Sequence, residues 1–172
     1  MKTTLGDLKT RRSIRRYKAE QITDEELDAV LEAGTYAPTG MGAQSPVIVA
    51  VQNKKDRDEV EKLNDAVFKG QGSFYGAPTV VNVLADKACP TAVDDGNMVI
   101  ANLLNAAHAL GLGSCYVYRA KEVFESSGGR ELLKKWGLDP DKYIGIGHVI
   151  LGYGTEHPQP KPRKKGYIVK VR

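Results

Sequence analysis

The chain is poor in the residues on which most side-chain catalysis depends. Its 172 residues hold two cysteines, three histidines and one tryptophan. Cys89 and Cys115 stand far apart, with no CxxC and no Cys/His grouping, so neither a disulfide framework nor a thiolate metal site is indicated. A reducing compartment, taken as cytoplasmic, is the expectation. His108, His148 and His157 have no metal-ligand partners at helical or loop spacing, and a structural role is favoured for each. There is no GxSxG, no GxxxxGK[ST] and no GxGxxG opening a helix; "GLGSCY" precedes a strand instead. Cys115, at the start of that strand, reads as a buried small hydrophobe. No apolar run approaches the ~20 residues of a spanning helix, and the N-terminal residues lack a signal-peptide core. Neither membrane insertion nor secretion is expected.

What is present is a single-domain composition, 41% hydrophobic and 27% charged. The net charge of +4 is unevenly placed. Residues 9–18 carry six Lys/Arg and no acid, and residues 161–172 carry six more and no acid. That leaves 13 cations against 21 acids, a formal charge of −8, for the remainder. Two short basic clusters at opposite ends of a chain fit either one compact anion site closed by the fold or two solvated patches.

Periodicity and capping signals predict the elements between them. "TTLGDLK" predicts a short helix with Leu5 and Leu8 on one apolar side. "ITDEELDAVLEAG" predicts a helix with Thr23 as N-cap, Glu26 completing a capping box, Ile22 stapled to Leu27, and Gly34 as its stop. "APTGMGAQSP" is loop, followed by a buried strand, "VIVAVQN", ending at Asn53. A helix is predicted from about Asp56 to Lys69, then the Gly-rich turn "GQGSFYGAP" and the strand "TVVNVLA". The most apolar helix runs from about Gly96 to Leu110. It is apolar nearly all round, so it is central or lies at a subunit interface, with Asn102, Asn105 and His108 as a structural polar stripe. "GLGSCYVY" predicts a turn and strand, "KEVFESSGGRELLKKWG" an interrupted helix, and "YIGIGHVILGY" a third core strand. The Pro-rich "GTEHPQPKPRKKG" is an extended arm, and "YIVKV" a terminal strand that could add to a neighbouring subunit's sheet edge. The alternation of helices and strands fits a mixed sheet or a parallel one.

Arginines, small hydroxyls and Gly-rich turns, without an obvious acid, base or nucleophile, suit a protein whose chemistry belongs to a bound cofactor. Arg11, Arg12, Ser13 and Arg15 present forked donors and a hydroxyl suited to a phosphate. The segments "RRSIRRYKAEQITDEELDAVLEAGTYAPTGMGAQSP", "DDGNMVIANLLNAAHALGLGSCYV" and "ILGYGTEHPQPKPRKK" resemble, in order and spacing, the nitroreductase family of FMN-dependent oxidoreductases. The likeness spans residues 8–165 and is to a compact member.

The resemblance implies an α+β fold with a central mixed β-sheet surrounded by helices, and a homodimer exchanging its C-terminal strands. It makes residues 1–172 one FMN-binding domain, with 152–172 as an arm reaching the partner subunit. FMN sits at the subunit interface in such proteins. Arg11, Arg12 and Ser13 would hold its phosphate and ribityl chain, Arg15 would lie at the pyrimidine end, and Lys161 and Arg163 would close over the phosphate. Pro38, Thr39 and Gly40 would come from the partner to line the ring, with Gln44 nearby. Gly42 stands where the family commonly has an Asn whose amide meets the flavin. Tyr118 and Arg119 occupy the place of the backbone donor to flavin N5. The implied activity is hydride transfer from NADH or NADPH through FMN to an electron-poor small molecule such as a nitroaromatic or quinone, by a ping-pong scheme. A flavin-binding protein without turnover and a basic nucleic-acid-binding protein are the rival readings.

Overall fold

In the computed structural model, which describes residues 4–172, local signals and long-range packing divide the work of placing the elements. These are α1 (Thr4–Thr10), α2 (Asp24–Thr35), a 3-10 turn (Gly40–Gly42), β1 (Pro46–Val51), α3 (Lys54–Phe68) and β2 (Thr79–Asp86). They are followed by α4 (Ala92–Ala109), β3 (Gly113–Val117), α5 (Ala120–Glu125), α6 (Ser127–Lys135) and β4 (Tyr143–Gly152). In α2 the capping box forms as expected: Thr23 Oγ1 accepts from Glu26 N–H at 3.2 Å, and the Glu26 carboxylate accepts from Thr23 N–H at 2.9 Å. Gly34 is not the stop. The helix runs through it, and a Cβ there would lie 2.8 Å from Leu103 Cδ2 and 3.0 Å from Ile48 Cδ1. The missing side chain lets α2 pack closely on α4 and β1.

Two other boundaries shift for capping reasons. Asn53 does not end the strand; its side chain accepts from Asp56 N–H at 3.2 Å and starts α3 at Lys54. α4 begins at Ala92 instead of Gly96, because Asp94 and Asp95, which look like loop residues, fall in its first turn where the helix dipole favours them.

The sheet has strand order β1-β2-β4-β3, and the four strands expected in a mixed sheet all pair antiparallel. A parallel pairing occurs as an isolated bridge between Ser13 and Ser114. Alternation along β2 sorts the core into two layers. Val81, Val83 and Ala85 face α2 and α4, while Val80 and Leu84 face the layer of α3, α5 and α6. The register of β2 on β4 slips between Val83 and Leu84, and Ile146 at that bulge fills the space over Gly96, where a Cβ would come within 2.5 Å of its Cγ1. Two members of the polar stripe of α4 make structural contacts: Asn102 Nδ2 donates to Ala33 O at 3.0 Å and His108 Nε2 lies 2.8 Å from Thr10 Oγ1.

Several apolar surfaces stay uncovered in the single chain. Leu5 and Leu8 of α1 are exposed, as are Val93 and Met98 of α4 and its C-cap, Leu110. The expected terminal strand does not form within this chain: residues 167–171 carry no strand pairing, and Tyr167, Ile168, Val169 and Val171 are all exposed. No helix of the described residues is long and apolar enough to cross a membrane.

Candidate functional site

The first basic segment is laid along the free edge of β3. Ile14 N–H donates to Ser114 O at 2.9 Å, Lys18 N–H to Tyr153 O at 2.9 Å, and Thr155 N–H to Arg16 O at 3.0 Å. Ile14 fits because Gly113 and Gly154 lie beneath it: a Cβ on either would come within about 3 Å of its Cγ2. Glu156 fastens the start of the arm, its carboxylate accepting from Arg15 N–H at 2.5 Å and lying 3.9 Å from Arg16 Nε. Because the segment runs parallel to β3, Arg11 and Arg12 lie toward Gly113 and Arg15 lies toward Tyr116 and Tyr118.

The guanidinium groups are poised rather than paired. Arg12 Nη1 donates to Lys9 O and Arg11 O at 2.9 and 2.6 Å, but Arg12 Nε and Arg11 Nη1 are buried without a partner among the described residues. Buried charged donors left unmet cost more than neutral ones, so the arrangement calls for an anion. Cys115 lies beneath the segment. Burial pushes its thiol up, against the opposing pull of the neighbouring cations Arg15 and Arg11. Tyr17 donates to Ile14 O at 2.6 Å and its hydroxyl is pushed up chiefly by burial.

Two cavities open beside this segment. One, of about 370 Å³, brings Arg12 together with residues 156–160 of the arm. Lys161 and Arg163 are not brought onto the arginines; the Arg163 guanidinium folds back on Lys161 O at 2.6 Å, and both residues are exposed. The other, of about 280 Å³, joins Arg15, Tyr118 and Arg119 with Asn64, Ser73 and Tyr75, which the sequence had not marked. Arg15 lies 5.8 Å from the Tyr75 ring centre. Arg119 has φ of 89°, a left-handed backbone that non-glycine residues hold only under constraint, as its side chain covers the Tyr118 ring at 4.9 Å and bonds Glu122 at 2.9 Å.

The second predicted set lies elsewhere. Thr39, Gly40 and Gln44 form a loop whose organiser is Asp95, another residue not foreseen. Its carboxylate accepts from Gly40 N–H at 2.9 Å and from the hydroxyls of Ser45 and Thr91 at 3.0 Å each. These bonds, led by the Gly40 amide, hold its carboxyl below the usual range against the opposing effect of burial. The Thr91 hydroxyl likewise draws the Cys89 thiol down. Met41, Gly42 and Gln44 all have positive φ. Glycine adopts this conformation without a steric penalty, which suits Gly42 to its place in the turn. Pro38 leads into the loop, and Thr39 and Gln44 line a cavity of about 300 Å³ with Pro46 and Ile48.

The two sets do not meet within one chain. The loop feeds β1, the arginines bridge β3, and β2 and β4 lie between, roughly 14 Å across three strand spacings. Along α4, the loop bonds Asp95 and the basic segment approaches His108, about 20 Å further at 1.5 Å per residue. The cavities touched by Arg12 and Arg15 include no residue of 38–44.

Comparison with known proteins gives this arrangement its context. Residues 8–71 match the model of the nitroreductase family. An Archaeoglobus fulgidus protein with the provisional name NADH dehydrogenase/NAD(P)H nitroreductase is 32% identical over 97% of this chain and 91% of its own length. The NADPH-flavin oxidoreductase of Vibrio harveyi is 30% identical over 98% of this chain and 73% of its own. The crystal structure of a nitroreductase with bound FMN from Bacteroides fragilis superposes with a TM-score of 0.90 at 30% identity, covering 100% of both chains. With the basic segment inside the matched region and both sequence and fold shared end to end, the chain belongs to the nitroreductase family.

Proposed function

We propose that the protein is an NAD(P)H-dependent FMN oxidoreductase, a single domain working as a homodimer, and that it reduces electron-poor small molecules such as nitroaromatics or quinones. The observation that carries the cofactor reading is the pair of buried, unpartnered guanidinium donors, Arg11 Nη1 and Arg12 Nε, beside Ser13. A phosphate ester supplies several acceptor oxygens for such a fork. The B. fragilis relative, of the same fold and family, holds FMN. When bound, FMN supplies hydride acceptance and donation at N5, alternating between a reduced nicotinamide and the acceptor at one site.

The protein's part is position and electrostatics. Arg11, Arg12 and Ser13 hold the phosphate end, and the cavity bearing Arg15, Tyr118 and Arg119 takes the ring. Arg15 sets a fixed cation beside the ring and favours negative charge there after reduction. The separation of the two predicted sets supports a dimer in which Pro38, Thr39, Gly40, Gly42 and Gln44 of one protomer approach the ring held by the other. The exposed residues 161–172 then serve as the arm that crosses to the partner, carrying Lys161 and Arg163 toward the phosphate. Stacking and proximity, with no side-chain nucleophile, account for the chemistry.

The test is spectroscopic. Purified protein is expected to be yellow and to bleach on anaerobic addition of NADH or NADPH, with colour returning when a quinone or nitroaromatic is added. A colourless protein that binds nucleic acid with steep salt dependence would overturn the cofactor reading, and a yellow protein that neither nicotinamide bleaches would overturn the enzymatic one.

A further inference from the structure

Arg57, Glu61 and Asp65 recur at every fourth position of α3, so they share one face of that helix, and each grips the chain that returns from it. Arg57 Nε donates to Ala77 O at 2.9 Å, and Glu61 Oε1 accepts from Phe74 N–H at 2.8 Å. The two carboxylate oxygens of Asp65 accept from Gly72 N–H at 2.8 Å and Ser73 N–H at 3.0 Å. Phe74 is fully buried and anchors the middle of the returning segment by itself. Gly72 is exposed and Ser73 half-buried, so at that end Asp65 is the clasp.

The turn needs one. Lys69, Gly72, Tyr75 and Gly76 all have positive φ, and for a residue as bulky as Tyr75, at 53°, that backbone persists only where its surroundings impose it. Tyr75 N–H donates to Gly72 O at 2.9 Å, so fixing Gly72 also fixes the peptide of Tyr75. The Tyr75 ring then stands with its centre 5.8 Å from the Arg15 guanidinium, a cation–π distance, and both residues line the 280 Å³ cavity. The Arg15 side chain is exposed and its backbone N–H is held by Glu156, so the contact that bears on its guanidinium is the face of Tyr75.

We infer that Asp65 is a positioning residue: through the Gly72 and Ser73 amides and then Tyr75, it sets where the Arg15 guanidinium stands in the ring cavity. Its consequence for the flavin rests on the FMN reading above, whereas the linkage from Asp65 to Arg15 is made by this chain's own contacts. A carboxylate suits the task because its two oxygens take two backbone N–H groups at once, each bond strengthened by the charge. Asp65 itself does not line the cavity.

The linkage is read first without flavin, from the Arg15 Nε–H signal in heteronuclear NMR spectra of the flavin-free protein, assigned by its loss in Arg15→Lys. The Tyr75 ring shifts that signal, so Tyr75→Leu should move it. Asp65→Ala should move it in the same direction, and Asp65→Asn, which keeps one acceptor oxygen, should move it less. The FMN-loaded protein gives the second measurement. Arg15→Ala and Asp65→Ala should each lower the midpoint potential, and the double variant should be no lower than Arg15→Ala alone, because Asp65 acts through Arg15. Flavin reduction at saturating NADH or NADPH should slow about two- to fivefold in Asp65→Ala, the worth of an exposed cation–π contact.

An Arg15 signal that ignores either Tyr75→Leu or the Asp65 variants overturns the inference, whether or not flavin binds. So does a double variant whose potential falls below that of Arg15→Ala by the full Asp65→Ala shift, because Asp65 then acts by another route. Should Asp65→Ala fail to fold, Asp65→Asn carries both measurements, and a signal and potential unchanged in it are equally fatal. If the Arg15 signal moves as expected while the folded protein takes up no FMN, the linkage is upheld and the FMN reading is what fails, taking with it the role beside the flavin.

Discussion

His148 gives the fold a built-in sensitivity to acid that can be worked out from its surroundings. It lies on β4, fully buried, with its ring 5.5 Å from that of Phe74 and 5.8 Å from that of Phe124. Asn82 Nδ2 donates to Val49 O at 3.4 Å, which turns Asn82 Oδ1 toward His148 Nδ1 at 2.7 Å and makes Nδ1 the protonated nitrogen. Nε2 is buried without a partner among the described residues. Burial therefore disfavours the imidazolium and pulls the pKa down from 6.5 to about 3. The unfolded chain takes up a proton at this residue below pH 6.5 and the folded chain does not, so the contribution is intact above 6.5 and is lost as pH falls toward 3. Between pH 7 and pH 5 that amounts to about 2 kcal/mol, from 1.36 kcal/mol per unit with allowance for the partial titration at each end. Urea unfolding of wild type and His148→Gln at pH 7, 6 and 5, at one fixed FMN concentration, measures it. Wild type should lose about 2 kcal/mol more than the variant over that range, since His108, His157 and the carboxylates are common to both. Equal losses would refute the reasoning, whatever the variant's absolute stability.

Other expectations concern the site and the assembly. Arg15→Ala should retain FMN but slow its reduction by NADH or NADPH and lower its midpoint potential; an unchanged rate and potential would remove the electrostatic role given to Arg15. Asp95→Ala should release the Gly40 and Ser45 anchors, so limited proteolysis should cut within residues 36–45 at least tenfold faster while far-ultraviolet circular dichroism stays constant. Cleavage at the wild-type rate would mean that the loop is held by something else. Truncation after Pro160 should shift sedimentation from dimer toward monomer and release FMN. A truncated protein that remains a yellow dimer would contradict the part assigned to the arm.

How much of this was legible in the sequence follows from how local each signal is. The capping box at Thr23 and Glu26 is a four-residue pattern and reads directly. Gly34 near the same helix's end looks like a stop, because what makes it a packing glycine is Leu103, far along the chain. The basic segment stands out by charge counting, but that count fits an anion site and solvated patches alike; the buried guanidinium donors favour the anion. Asn64 does not stand out: in "VEKLNDAV" it reads as one more polar residue on an amphipathic helix, and only the cavity beside it shows that the amide is buried. Asp95 is hidden for the opposite reason. "DDG" reads as loop, and its function as an anchor depends on Gly40 and Ser45 returning to it from the other side of β1's start. The strand order, which separates the two halves of the site, has no local signature at all.

That separation also bears on the unusual helix α4. An apolar helix covered on all sides within a monomer would have no need of Val93, Met98 and Leu110 at its surface, yet these are exposed, as are Leu5 and Leu8 of the neighbouring α1. Leaving such a surface in water forfeits the burial free energy, about 25 cal/mol per Å² of apolar area, that a partner would recover. In the proposed dimer, a two-fold axis perpendicular to α4 would reverse the direction of that helix and set the Asp95 end of one protomer toward the His108 end of the other. That arrangement would carry the loop held by Asp95 and the arginines that approach His108 toward each other through the same contact that buries the apolar surface. In the proposed dimer, assembly and completion of the flavin site are one event, so a substitution such as Met98→Glu, remote from every arginine, should weaken dimer and FMN binding together.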